Sequence, residues 1–344
     1  MLYQVHEKTR RAGNQEGKVV ELIYADQQAQ VDIWLAHGFN CLSWKIKRNS
    51  KFKDLLYQMN DWEQNPVPTR SGIPILFPFP NRLRDGFFVF SGKEYHLPKN
   101  DSSKSHGMHG YAARYPWRLV ECGADHAQAW VTGEFRPSID APEVYPYWPS
   151  DYRLRVTYRL KSDRLVQETQ VYNPSDDLLP FGLGFHPYFR FPCLVGDTNI
   201  ARARLTMPAR SIWQLEDCLP TGKRIPVPGP LNWIHSRMVG DTTMDTLYTD
   251  LQGMDNHNGL QQVAELRHAD FRGALKVWVA KEFREMVLFT PVHRQAICIE
   301  PYTCPTDYIH LHEQGLDSGI TILPPGETWM ATVEYQWDET ATDV

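Results

Sequence analysis

The stretch Asp151-Tyr152-Arg153-Leu154-Arg155-Val156-Thr157-Tyr158-Arg159-Leu160-Lys161 alternates apolar and polar side chains without a break. Successive side chains of a β-strand point to opposite faces. Tyr152, Leu154, Val156, Tyr158 and Leu160 therefore share a dry face, and Arg153, Arg155, Thr157, Arg159 and Lys161 a wet one. Ser162-Asp163 supplies turn chemistry, and residues 165–172 read as the returning strand, stopped by Asn173-Pro174. The pair predicts an antiparallel hairpin.

Short runs of the same kind recur at 19–24, 31–35, 87–90, 94–97, 275–279, 286–289, 297–300 and 329–337, many bounded by glycine, proline or aspartate. Long amphipathic helices are missing. With 25 prolines and 22 glycines, this pattern predicts an all-β sandwich or barrel. Two proline-rich stretches, 137–149 and 220–230, read as long loops of one domain covering residues 1–344. No change of composition, repeat or low-complexity tract marks a joint at either.

The chain of 344 residues is 42% hydrophobic and 22% charged, with a formal net charge of -5, which argues against a nucleic-acid partner. No apolar run approaches the ~18 residues that span a bilayer, and the first residues lack the apolar stretch of a signal peptide. A soluble, cytoplasmic protein with no membrane partner is expected. The six cysteines, Cys41, Cys122, Cys193, Cys218, Cys298 and Cys304, form no Cys-x-x-Cys pair, so free thiols are expected rather than a zinc knuckle or disulfide framework. The 11 Trp, 16 Tyr and 15 Phe suit a rich β core and, at fewer positions, an aromatic-walled ligand site.

Four islands combine charged or imidazole groups with proline, glycine and aromatic residues, the mixture found in loops around a site. In the segment 71–86, prolines rule out helix and central-strand pairing and deliver Asn81 and Arg82 to a fixed place, for ligand hydroxyls or for an ordinary ion pair. In Ser105-His106-Gly107-Met108-His109-Gly110, two histidines three apart invite a metal, but no third ligand stands nearby. Gly184-Phe185-His186-Pro187-Tyr188-Phe189 holds His186 extended ahead of a proline. In Ile297-Cys298-Ile299-Glu300-Pro301, the alternation sets Cys298 and Glu300 opposite Ile297 and Ile299. A glutamate ending an apolar strand is either a working group or one half of a buried ion pair.

In this order the islands resemble those of the aldose 1-epimerase (galactose mutarotase) family, with similarity from about Val19 to about Trp337. The matching motifs are Asn81-Arg82, His109-Gly110, Gly184-Phe185-His186-Pro187-Tyr188-Phe189 and Glu300-Pro301. The resemblance implies a large antiparallel β-sandwich of the galactose mutarotase-like supersandwich type. It implies an isomerase without cofactor or metal, acting on a small-molecule sugar. Glu300 then matches the base on the anomeric hydroxyl, His186 the acid on the ring oxygen, and His109 a group beside that oxygen. Arg82, Asn81 and, within Met244-Asp245-Thr246-Leu247-Tyr248, Asp245 match sugar-binding positions. His106 is an extra histidine beside the motif, and Thr246 stands where many relatives carry an acid.

The chemistry asks for such a set in its own right. Opening a hemiacetal removes the C1 hydroxyl proton and delivers one to the ring oxygen, and a concerted acid and base avoid a free alkoxide or oxonium. Two other readings accompany this one. Arg70-Ser71-Gly72-Ile73-Pro74 is similar to a stretch of hexose-6-phosphate 1-epimerases, with Arg70, Arg84, Lys104 and Arg114 as candidate phosphate cations. A noncatalytic carbohydrate-binding protein is the third reading.

Overall fold

The hairpin is present: Arg153–Leu160 pairs antiparallel with Arg164–Tyr172, Arg153 opposite Tyr172 and Leu160 opposite Leu165. Leu154, Val156, Tyr158 and Leu160 are buried, and the residues between them are half-buried. Ion pairs of Arg155 with Glu134 (2.5 Å) and Arg159 with Glu168 (2.8 Å) tie the wetter face together. The computed structural model describes residues 2–25, 29–48, 51–190, 200–268 and 271–341.

The hairpin belongs to a ten-stranded sheet running Arg118–Ala124, Ala129–Phe135, Arg153–Leu160, Arg164–Tyr172, Thr328–Asp338, Phe271–Val279, Leu260–His268, Ala203–Met207 and Trp233–Met238, with Asp255–His257 paired at its side. An eight-stranded sheet runs Leu219–Pro226, Ala209–Glu216, Asp245–Leu251, Glu285–Phe289, Ile297–Tyr302, Gly184–Phe185 and Ile75–Leu76, and Tyr188–Phe189 also pairs with Ile297–Tyr302. Five strands from Tyr3–Ala12 to Lys51–Asp54 make a third sheet. Neighbouring strands pair antiparallel.

The three sheets share one apolar cluster, to which they contribute Val156 and Tyr335, Leu288 and Ile299, and Leu22 and Ile33 respectively. Each such side chain contributes about 1.5–3 kcal/mol on full burial, before the cost of ordering it. The fold is therefore the expected all-β, antiparallel sandwich. Its α-helices are short, Pro137–Asp140 and Tyr308–Glu313. Among the described residues no helix is long and apolar enough to cross a membrane.

Several expectations need correction. Much of the stretch read as a loop at 220–230 is strand: Leu219–Pro226 pairs with Ala209–Glu216 at an end of the eight-stranded sheet, where Pro220 and Pro226 need no ladder partner outward. Ile75–Leu76 likewise takes an edge position despite the flanking prolines. The strand carrying Glu300 does not end there but continues to Tyr302. Tyr3–Ala12 is a full strand whose charged outer face hides its periodicity. Cys41, Cys122, Cys218, Cys298 and Cys304 are free thiols, and Cys193 lies outside the described residues.

Candidate active site

The eight-stranded sheet turns one face to the core and the other to the site. On Ile297–Tyr302, Ile297 and Ile299 join the central cluster, while Cys298, Glu300 and Tyr302 take the opposite face, as strand alternation requires. Pairing with Glu285–Phe289 sets Cys298 opposite Phe289, Glu300 opposite Val287 and Tyr302 opposite Glu285. Asp245 stands opposite Phe289 from the other side. Asp245, Phe289 and Cys298 therefore form one row across three strands, next to the row of Leu247, Val287 and Glu300.

His186 comes from the other neighbour of the glutamate strand. Gly184 pairs with Tyr302 and Tyr188 with Cys298, so the same register brings residue 186 opposite residue 300. The His186 ring stacks on Tyr188, with centroids 4.6 Å apart, and takes the edge of Phe289 at 6.1 Å. Its backbone N–H donates to the Pro74 carbonyl at 3.0 Å. His186 Nε2 lies 3.3 Å from Glu300 Oε1, and the Tyr302 hydroxyl donates to Glu300 Oε2 at 2.6 Å.

Glu300 is 1% and His186 7% exposed, so burial dominates their ionisation. It raises the Glu300 pKa well above the ordinary carboxyl value; the Tyr302 hydrogen bond opposes this and nearby Asp245 adds to it. It pushes the His186 imidazole down to about 3. Burial thus favours the neutral form of each group, a state in which the pair holds one transferable proton. The alternative arrangement is an ionised pair. That pair carries the same number of protons, moved from oxygen to nitrogen.

His109 adds a second imidazole, its ring centre 5.7 Å from that of His186 and nearly perpendicular to it. The backbone N–H of Asn81 donates to His109 Nδ1 at 3.2 Å, leaving Nε2 as the protonated nitrogen. Burial first, then the neighbouring His186, Arg114 and Arg82 side chains, push the His109 pKa well below the ordinary value. Asn81 and His109 both have positive φ, and the His109 N–H donates back to the Asn81 carbonyl at 2.8 Å. Gly110, also at positive φ, packs so closely on the Phe77 carbonyl that a β-carbon would overlap it.

Arg82 donates from Nη1 to Asn81 Oδ1 at 3.1 Å, and its Nε is 4.0 Å from the buried Asp101 carboxylate. The Asp245 side chain is exposed at the rim, yet surrounding protein raises its pKa against the pull of Arg82. The structure thus brings Glu300, His186, His109, Asn81, Arg82 and Asp245 into one place. His106 is elsewhere engaged: its Nδ1 accepts the Asp85 N–H at 3.0 Å and its backbone N–H donates to Asp101. Among the candidate phosphate cations, Arg84 is held by Asp307 (Nε to Oδ2, 3.1 Å), whereas Arg114 lies exposed near His109.

Sequence reasoning missed Tyr302 and Asp101. Tyr302 was within reach, since it stands two residues beyond Glu300 on the same face. Asp101 is fixed within its own loop, where its carboxylate accepts from Ser103, Ser105 and His106, but nothing in that loop reveals its approach to Arg82.

This face, with its carboxyl and imidazole pair, lies on a galactose mutarotase-like β-sandwich. A galactose mutarotase-like protein from Clostridium acetobutylicum has the same fold, with a TM-score of 0.84, 23% identity and coverage of 98% of this chain and 99% of that one. The chain belongs to the aldose 1-epimerase family, whose model matches residues 23–336. Among curated proteins it is 25% identical over 254 residues to the uncharacterized protein YihR of Escherichia coli K12, covering 72% of this chain and 73% of that protein. It is 28% identical over 211 residues to mouse galactose mutarotase, covering 58% of this chain and 57% of the mouse protein.

Proposed function

We propose that this chain is a cytoplasmic, single-domain enzyme that interconverts the α and β anomers of a free aldohexose, with Glu300 as base and His186 as acid. The observation that carries the reading is the 3.3 Å approach of His186 Nε2 to Glu300 Oε1 on a buried face. In a pyranose, the C1 hydroxyl oxygen and the ring oxygen are bonded to one carbon. An acid and a base that serve them must therefore be close neighbours.

Binding places the C1 hydroxyl at Glu300 and the ring oxygen at His186. The shared proton moves onto His186, and the ionised Glu300 takes the hydroxyl proton while His186 protonates the ring oxygen. The bond from C1 to the ring oxygen breaks and leaves an open aldehyde. Rotation about the C1–C2 bond presents its other face, and the same two groups with roles reversed close the ring. His109, donating from Nε2, steadies the ring oxygen, and Arg82, Asn81 and Asp245 hold sugar hydroxyls. Polarimetry of freshly dissolved α-glucose, with heat-treated protein as control, tests this. Faster decay of rotation supports it, and a rate equal to the control removes it for glucose.

A phosphorylated aldose is a second reading, favoured by Arg114: it lies near His109, and no carboxylate ion pair engages it among the described residues. A higher kcat/KM on glucose 6-phosphate than on glucose, lost in Arg114→Ala, would select this reading.

A further inference from the structure

We infer that Cys298, His186 and Glu300 together form a site for a soft divalent cation such as Zn2+, and that a cation bound there blocks the acid–base pair. The binding claim is independent of the anomerase reading; only the blocking rests on it.

The three potential ligand atoms, a sulfur, an imidazole nitrogen and a carboxylate oxygen, lie within 4.8 Å of one another, and all three residues are at least nine-tenths buried. Among the described residues this is the one group of three such ligands. The register explains it: Cys298 and Glu300 are alternate residues on one face, and His186 comes from the segment whose Tyr188 pairs with Cys298.

The spacing suits tetrahedral coordination. Nitrogen and oxygen bound to one Zn2+ at ordinary bond lengths stand about 3.3 Å apart. His186 Nε2 and Glu300 Oε1 are 3.3 Å apart without an ion. The sulfur would stand about 3.6 Å from each, so it needs to move in by at most ~1.2 Å. A fourth position remains for water.

Ligand chemistry selects the ion. A set of S, N and O donors favours Zn2+, Co2+ or Cd2+ over Mg2+ and Ca2+, which require more oxygen ligands. One thiolate, one carboxylate and one neutral imidazole balance a dication, so the buried site gains no net charge. Binding releases the thiol and carboxyl protons to solvent. His186 Nδ1 meets no hydrogen-bond acceptor, whereas histidines of resident metal sites usually have one on the second nitrogen. This makes the cation a removable inhibitor rather than a permanent cofactor.

The test is titration of chelator-treated protein with Co2+, followed by absorption. One equivalent should produce tetrahedral visible bands and a near-ultraviolet thiolate-to-cobalt band, both removed by excess Zn2+. Cys298→Ser, which keeps the other cysteines, should lose the thiolate band and bind cobalt more weakly by over ~100-fold, beyond the usual cost of losing an outer partner. Zinc should inhibit anomerisation at least tenfold less potently in Cys298→Ala, each protein being compared with its own metal-free rate. If the alanine variant fails to fold, the serine variant supplies the same comparison. A thiolate band that survives in Cys298→Ser, cobalt bound without one, or no uptake at millimolar cobalt overturns the site. A lost band in a protein without anomerase activity upholds the cation site and removes the anomerase reading, so the two fail separately.

Discussion

Tyr302 reaches back along its own strand to donate a 2.6 Å hydrogen bond to the carboxyl group of Glu300, and both side chains are buried. Of the groups acting on Glu300, this hydroxyl favours the ionised form, while burial and Asp245 oppose it. Tyr302→Phe keeps the ring and removes the donor. Hydrogen bonds to charged groups contribute about 1.5–3 kcal/mol, so kcat on a free aldose should fall by ~10–100-fold with little change in KM. An unchanged kcat would mean that Tyr302 only packs.

Glu285 should make the stability of the fold depend on pH. It is fully buried, accepts hydrogen bonds from Trp213 Nε1 (3.0 Å) and Thr249 Oγ1 (3.1 Å), and burial raises its pKa to about 8. An unfolded glutamate ionises near its ordinary value of 4.5, so between 4.5 and about 8 the folded chain binds more protons than the unfolded one. Stability from this group should fall as pH rises through that window, by at most ~1.4 kcal/mol per pH unit. Urea midpoints at pH 5 and pH 8 should differ less in Glu285→Gln than in wild type. Equal slopes would contradict the assignment.

Asp307 joins the two halves of the site. Its buried carboxylate accepts the Arg84 backbone N–H at 2.9 Å and Arg84 Nε at 3.1 Å, and contacts His310 Nδ1 at 2.7 Å. Its N–H donates to the Arg82 carbonyl at 2.9 Å. The segment following Glu300 therefore holds the strand that carries Arg82. Asp307→Ala should lower stability by about 1–3 kcal/mol in urea unfolding and raise KM more than it lowers kcat. A loss confined to kcat would place Asp307 in the chemistry instead.

Local patterns were readable because they are local. Alternation at 151–161 gives the hairpin, and alternation at Ile297 and Ile299 gives the face of Cys298 and Glu300. The islands around His109 and His186 stood out by composition, whereas their roles, the choice of His109 over His106, and Asp245 came from the family resemblance. Long-range register was not readable. Nothing near His186 reveals that it falls opposite a residue 114 positions later, because ladders on both of its flanks set that pairing. Proline misled at Pro220 and Pro226, where an edge position removes the need for a donor. Cys298 looked like a plain buried thiol until the register placed it beside Glu300 and His186.

Glu300→Gln tests the central claim most directly, because it keeps the size of the side chain and removes its basicity. Anomerisation should be followed by polarimetry in parallel with circular dichroism. The account predicts a folded protein whose kcat is lower by ~10²–10⁴, the usual contribution of a general base. A folded Glu300→Gln protein that turns over at the wild-type rate would contradict it.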